Sequence, residues 1–236
     1  VLSNHTVMLT GRDSGIDSLD ALLRRSAQRP IGIGVRDAGS ASIFAIPVVA
    51  ALLGMDYVLV TGYVGNTARA LAAIRGEVDL LLQNLDSSQR FIEDGELRPL
   101  LVVAGAKTGV GSGPDERLLA GVPVLGGETG VAQQRASQAG KSRDQALKQA
   151  RALTVLIGAG RLVVGPRALP EDLRGCLEAG LDTVFRSPEL RAAARRAKLG
   201  IEPADPVRAR ADILRATEAM TELAPLVRAA MQRARQ

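Results

Sequence analysis

The stretch YVLVTGYVGNTARALAAIRGEVD, residues Tyr57–Asp79, contains the local pattern that decides the fold. Tyr57–Val60 is short, β-branched and bounded by glycines, which predicts a fully buried parallel strand. A turn over residues 63–66 follows, and then a helix that ends at Gly76. A strand, a tight turn and a helix amino end in succession gather free backbone N–H groups at one point, and such a point attracts an anion.

The helix of this unit has two possible caps. Either Asn66 or Thr67 can accept hydrogen bonds from its first turn, and Ala68, Leu71 and Ala72 share one apolar face. The same strand-turn-helix order occurs just upstream in the chain. The two units predict parallel strands whose turns open at the carboxyl ends, where open α/β sheets bind ligands.

The upstream unit consists of the strand Ile31–Val35, a turn over residues 37–40 and an apolar helix over Ser42–Leu53. Pro47 lies inside that helix, so the helix is either kinked there or begins only near Ile46.

The repeated turn is the predicted ligand site. Gly39 and Gly65 lack side chains that would keep a ligand from the backbone, and Ser40 and Asn66 offer polar contacts. The full predicted set is Gly39, Ser40, Ala41, Tyr63, Gly65, Asn66, Thr67 and Asp79.

Two members of that set have alternative roles. The Tyr63 ring can pack at the strand end, or its hydroxyl can line the cleft. Asp79 would repel an anion, so its carboxylate fits better as a group that caps or orients neighbouring backbone.

Composition restricts the class of protein. The 236 residues are 46% hydrophobic, which suits one or two compact folded units, and no apolar run is long enough to span a membrane. The net charge of +5 and pI of about 10.0 favour anionic partners. Aromatic residues make up only 2%, and no DNA-binding motif occurs, so nucleic acid is not a predicted partner.

Catalytic, metal and cofactor chemistry have few candidate residues. His5 is the single histidine, which argues against a catalytic relay or a histidine-based metal site. The single cysteine, Cys176, shares a helical face with Leu169, Leu173 and Leu177, which predicts a buried core thiol. No cofactor is predicted.

The remainder of the chain alternates strands with helices, which predicts a parallel α/β layer. Ala132–Ala152 is polar and helix-prone, and is predicted as an inserted surface helix. In a long final helix, Ile213, Met220 and Val227 recur every seven residues, which predicts packing on a core.

Several motifs occur in the order found in one known family. They are Tyr63-x-Gly65 with Ala70-Leu71, Arg75-Gly76-Glu77-Val78-Asp79, Gly39-Ser40, the segment Asp94–Leu100, Val122-Pro123 and Glu128-x-Gly130. Together they resemble the extracytoplasmic solute receptors of tripartite tricarboxylate transporters, the Bug receptors. Val64 stands where that family usually has Lys or Arg, Asn66 where a second Gly is common, and Val124 where it has Thr.

The resemblance implies a two-lobed, type II periplasmic-binding-protein-like α/β fold with an incomplete first lobe. Residues 1–13 would form the first crossing segment and part of lobe I, residues 14–153 lobe II, and residues 154–236 the second crossing and the carboxyl-terminal helices of lobe I. The family's opening strand, Gly-rich loop and helix would precede Val1. The chain is therefore expected to be either a fragment or a shortened receptor.

The function implied by the resemblance is capture of a small carboxylate, which is handed to membrane transporter subunits. Such a receptor is periplasmic, although residues 1–13 contain no signal-peptide pattern. No reaction is implied, so the protein is not expected to be an enzyme. The alternatives are the effector-binding module of a transcription regulator and an enzyme acting on an anionic substrate. The enzyme alternative is disfavoured because the two turns lack acid/base candidates.

Overall fold

The computed structural model describes residues 5–36, 41–105, 117–158, 163–196 and 206–233. Five strands form one sheet in the order β3-β2-β4-β1-β5. The strands are β1 (Thr6–Gly11), β2 (Ile31–Gly34), β3 (Tyr57–Val60), β4 (Leu80–Asn84) and β5 (Leu97–Val103).

Helices follow most of the strands. They are α1 (Leu19–Ser26), α2 (Ala41–Leu53), α3 (Gly65–Ile74), α4 (Gln89–Glu93), α5 (Val131–Gln134), α6 (Arg143–Gly158), α7 (Glu171–Arg186), α8 (Pro188–Arg196) and α9 (Pro206–Arg233). No helix within the described ranges is both long and apolar enough to cross a membrane.

The sheet is mixed rather than parallel. Strand β2 runs parallel to β3 and β4, as predicted, but β1 is antiparallel to both of its neighbours, β4 and β5. The prediction of a wholly parallel layer was therefore wrong for β1. A short apolar strand has the same pattern in either direction, so its sequence does not indicate its orientation. The predicted division into lobes at residues 13 and 153 stays a prediction.

Alternating side chains place one apolar cluster on each face of the sheet. Met8, Leu80 and Leu82 pack on one face with residues of α1, α2, α6 and α9. Val7 and Leu81 pack on the other face with the alanines of α3. This period of two is what a sheet covered on both sides requires.

Strand β3 has the predicted bounds but not the predicted burial. It is an edge strand, and Val58 is 50% exposed. A run of β-branched residues is compatible with both an edge and a central position, so the prediction of full burial was wrong.

Helix α3 begins earlier than predicted. Val64 precedes it and offers no side-chain cap, while Asn66 and Thr67 lie inside its first turn, so both cap predictions were wrong. Leu71 is exposed, and the buried positions are Arg69, Ala70, Ala72 and Ala73. The helix ends before Gly76, whose φ is 74°, and that prediction is confirmed.

Helix α2 runs without interruption through Pro47 and begins at Ala41, so it does not start near Ile46. The segment predicted as one inserted surface helix is instead two helices, α5 and α6. Ala146, Ala150 and Leu153 of α6 are fully buried in the core cluster shared with α2 and α9. Small apolar residues spaced by three or four cover a core even in a polar segment.

The last helices are less buried than predicted. Cys176 is exposed, and no residue of the fully described helix α7 is buried, so the prediction of a core thiol was wrong. In α9, Val227 is buried, but Ile213 and Met220 are exposed. An amphipathic pattern identifies a face able to pack, and in these segments the described structure does not cover it.

Candidate functional site

The carboxyl ends of β2, β3 and β4 meet at one edge of the sheet, called here the carboxyl edge. Strand β1 begins at this edge, where the Leu85 N–H donates to the His5 carbonyl at 2.8 Å. Strand β5 ends there, since Thr6 pairs with Val103. The carboxyl edge therefore gathers segments from all five strands.

The amino end of α3 lies at the carboxyl edge. Gly65, its first residue, has a φ of 83°, which favours glycine, and a Cβ placed there would have no atom of the described residues within 4 Å. The side chain of the preceding residue, Val64, makes no capping hydrogen bond to the helix. The first-turn N–H groups therefore receive no hydrogen bond from a capping side chain, and the positive end of the helix dipole lies at the carboxyl edge.

A chain of polar side chains lies behind that helix end. An Nη2 of Arg69 donates to the Oδ1 of Asn66, and the Nδ2 of Asn66 donates to the Ser87 Oγ at 2.7 Å. Nη1 of Arg69 also approaches the Leu82 carbonyl at 3.4 Å. The chain links α3 to the turn that follows β4.

Arg69 is the most deeply buried of these groups, with only 4% of its surface exposed. Burial, together with the like charge of Arg36, lowers the pKa of Arg69 below its ordinary value. Arg36 lies two residues after the end of β2, so two cations contribute to the electrostatic field at the carboxyl edge.

The turn after β4 is held from several sides. The Nε2 of the buried Gln83 donates to the Ser88 Oγ at 2.6 Å, and the Ser88 hydroxyl donates to the Asn84 carbonyl at 3.3 Å. Ser88 N–H also donates to the Leu85 carbonyl at 2.8 Å. These bonds fix the position of Ser87 in the short 3₁₀ helix Leu85–Ser87.

Tyr63 has its ring packed against the cluster beneath α3. Burial, the charge of Glu77 and a hydrogen bond with the Glu77 carboxylate raise the pKa of Tyr63. Glu77 follows the carboxyl-terminal end of α3, so the hydroxyl is directed along the helix and away from its amino end. Of the two alternative roles, packing is the one that the structure shows.

Asp79 lies at the opposite, amino edge of the sheet. Its Oδ2 accepts from the Gly32 N–H at 2.9 Å, and its two oxygens accept from Arg29 at 2.8 and 2.7 Å. Burial alone would raise the pKa of Asp79, but these hydrogen bonds and the charges of Arg29 and Arg25 outweigh it and lower the pKa. The carboxylate orients backbone, which was the favoured alternative.

The predicted site residues are therefore only partly brought together. Gly65, Asn66 and Thr67 share the first turn of α3, and Ala41 begins α2, which follows β2 at the same edge. Gly39 and Ser40 lie outside the described residues. Within the described ranges, no group of His, Cys, Asp and Glu side chains could hold a metal ion.

Sequence reasoning missed Arg69 and Ser87. An arginine among alanines, three positions after Asn66, was a usable signal because side chains at i and i+3 meet on a helix. Ser87 carried no such signal, since its link to Asn66 spans 21 residues.

Several solved structures share this fold. Rpa4515 of R. palustris with adipate has a TM-score of 0.59 and 18% identity, over 95% of this chain and 67% of that one. A TctC solute-binding protein from Polaromonas has a TM-score of 0.60 and 15% identity, over 96% and 67%. MatC of Rhodopseudomonas palustris with bound malate has a TM-score of 0.57 and 16% identity, over 97% and 67%. No protein-family model matches the chain, and no curated protein matches its sequence.

The chain shares the fold of solute-binding proteins, among them a periplasmic binding protein. More narrowly, it is the fold of the TctC-type receptors that the sequence motifs resemble, so the resemblance is confirmed at the level of the fold. The chain spans about two thirds of the length of each of these structures, in agreement with an incomplete lobe.

Proposed function

We propose that this chain belongs to a solute receptor of the tripartite tricarboxylate type, and that it captures a small carboxylate at the carboxyl edge. The proposal involves binding and release, without a reaction. It is supported by the shared fold and by the complexes of two structural neighbours with adipate and malate.

The observation that carries the proposal is the amino end of α3. Gly65 leaves its backbone open, no side chain of Val64 caps the helix, and the amide of Asn66 lies in the same turn. Free N–H groups and a helix dipole stabilise a carboxylate in preference to a neutral or cationic group. The nearby guanidinium groups of Arg36 and Arg69 add to this preference.

The partners follow from the type of receptor. Delivery to membrane transporter subunits and a periplasmic location are parts of the proposal, and they rest on the likeness to a TctC solute-binding protein. Neither requires a cofactor or metal.

The test is titration calorimetry with malate and with adipate, on the wild type and on Thr67→Glu. Thr67 is exposed in the first turn of α3, so a carboxylate there stabilises the helix by about 0.5 kcal/mol. The same carboxylate repels an anionic ligand at the helix end, which is expected to weaken binding by about tenfold or more. Stability and affinity should thus change in opposite directions.

Gln138→Glu is the matched control. Gln138 is exposed and lies near Gly54, just after α2, at the opposite edge of the sheet. It changes the net charge by the same amount as Thr67→Glu but should leave affinity unchanged. Saturable binding that is equally weakened by both variants would show that the ligand does not lie at the amino end of α3.

A further inference from the structure

Three side chains form a hydrogen-bond chain from the core of the protein to the carboxyl edge, and each hydrogen bond is donated towards the edge. Arg69 donates to Asn66, and Asn66 donates to Ser87 at 2.7 Å. Arg69 is buried, whereas Asn66 and Ser87 are half-buried and reach the surface of the edge. The order of donors and acceptors along this chain is fixed by its innermost member.

A guanidinium has N–H donors and no acceptor, and it stays protonated in proteins. Only the Oδ1 of Asn66 can face it, so the side-chain amide has a single possible orientation. Its NH₂ group must then face Ser87 and the open side of the turn. Without Arg69, the amide could turn over and present its oxygen instead.

The fixed orientation of the Asn66 amide also determines the role of the Ser87 hydroxyl. The Oγ of Ser87 accepts from Asn66, so its own hydrogen is available to a further acceptor. In the described part of the chain, this hydroxyl donates to no other group. The turn that carries Ser87 is fixed by the bonds of Gln83 and Ser88, so the hydroxyl cannot easily move away.

We propose that Arg69 is a positioning residue that makes Asn66 and Ser87 donors towards the ligand, and so makes the carboxyl edge select carboxylates over the corresponding carboxamides. This inference rests on the proposed function and assigns the discrimination within it. A carboxylate presents only acceptors, whereas a carboxamide also presents an NH₂ group, which would meet another donor.

Arg69 acts through Asn66 rather than on the ligand. Its Nη1 lies against the Leu82 carbonyl and its Nη2 against Asn66, and only 4% of its surface is exposed. This arrangement separates its role from that of a surface cation that pairs with the ligand directly. A direct ion pair would select for charge, whereas a directed hydrogen-bond chain also selects for acceptors.

The test compares the affinities of malate and of its neutral diamide, malamide. The wild type is expected to bind malate about 100-fold more tightly, and Arg69→Met is expected to reduce that ratio by about tenfold. Arg69→Lys keeps an obligate donor and should recover most of the ratio. Arg25→Met, which removes a positive charge at the amino edge, is the control and should leave the ratio unchanged.

Ser87→Ala separates the hydrogen-bond chain from charge alone, because it changes no charge. It should reduce the ratio by a similar factor, and the Arg69→Met/Ser87→Ala double variant should lose little more than either single variant. Additive losses, or a Lys variant no better than the Met variant, would overturn the inference. If Arg69→Met does not fold, Asn66→Ala interrupts the same chain and supplies the comparison.

A ligand-free measurement keeps the two proposals distinguishable. The Asn66 side-chain amide proton that is donated to Ser87, observed by NMR, should be protected from exchange in the wild type and lose that protection in Arg69→Lys less than in Arg69→Met. If this pattern holds while neither malate nor adipate binds, the proposed function fails and the hydrogen-bond chain stands. If the amide is unprotected in the wild type, the inference fails whatever the ligand.

Discussion

Asp79 joins three strands through one residue. Its carboxylate accepts from the Gly32 N–H, its own N–H donates to the Gly32 carbonyl at 2.8 Å, and its carbonyl accepts from the Thr10 hydroxyl at 2.8 Å. Gly32 belongs to β2 and Thr10 to β1, and Asp79 immediately precedes β4. The ionised carboxylate is therefore part of the sheet's structure.

Replacing this carboxylate by Asp79→Asn should remove a pH-dependent part of stability. The pKa of Asp79 is lowered in the folded state, so its contribution is full above the unfolded pKa of about 4 and is lost as the pH falls through the folded pKa. We expect the variant to lose about 1–3 kcal/mol at pH 7, measured by urea unfolding.

The gap between wild type and Asp79→Asn should shrink at pH 3, where the wild type begins to lose the same interaction. Asp94→Asn is the control, since Asp94 faces Arg90 at 3.6 Å in an exposed pair. Its effect should be close to zero at both pH values. A gap for Asp79→Asn that is constant with pH would contradict this role.

At the scale of single residues, the sequence indicated where glycines are needed in the backbone. It did not indicate which side chains form hydrogen bonds with residues farther along the chain. Gly76 was correctly placed at the end of α3, whereas Gly65, predicted in the turn before the helix, is its first residue. The bond of Tyr63 to Glu77 depends on the length and path of the intervening helix, which turn patterns do not specify.

At the scale of elements, the hydrophobic pattern predicted which segments form strands and helices. It did not predict which of their faces are covered by other parts of the protein. β3 was predicted with its correct bounds, yet its edge position depends on which strands pair with β2. In the same way, the apolar face of α7 was correctly identified as a stripe. Leu173 and Leu177 on that stripe are 46% and 49% exposed.

Because the apolar face of α7 is exposed, we expect it to tolerate polar substitutions, which its amphipathic pattern alone would not predict. A Leu173→Gln/Leu177→Gln double variant should change the free energy of unfolding by less than about 0.5 kcal/mol per site. Leu223→Gln makes the same substitution at a fully buried position of α9 and should cost about 3 kcal/mol or more. Thermal denaturation of both variants would show the contrast, and equal losses would mean that α7 is covered in solution.

At the scale of the whole molecule, the resemblance of ordered motifs predicted the fold better than any single element did. Among the described residues, most of the segments that resemble the family lie at strand ends and turns, where backbone geometry restricts residue choice, and they follow one another along the chain in the family's order. The antiparallel direction of β1 and the two helices α5 and α6 escaped prediction. They are determined by pairing and packing across the molecule.

Stability should be unevenly distributed over the molecule. β1 is paired on both sides and packed on both faces, whereas α7 has no buried residue. In native-state hydrogen exchange, the amides of β1 and β4 should exchange only through global unfolding. The amides of α7 should exchange through local opening, and the free energy of that opening should be much smaller. A single common opening energy for β1 and α7 would contradict this distribution.

The position of β1 also determines when the sheet can be completed during synthesis. Its partners are Leu81–Asn84 and Leu97–Val103, so Thr6 must wait for Val103 to leave the ribosome before both of its ladders can form. Until then β2, β3 and β4 can assemble as parallel neighbours, but the apolar β1 has no partner on one side and is open to chaperones. The strand made first of the five thus acquires its second partner only when β5, the strand made last, pairs with it.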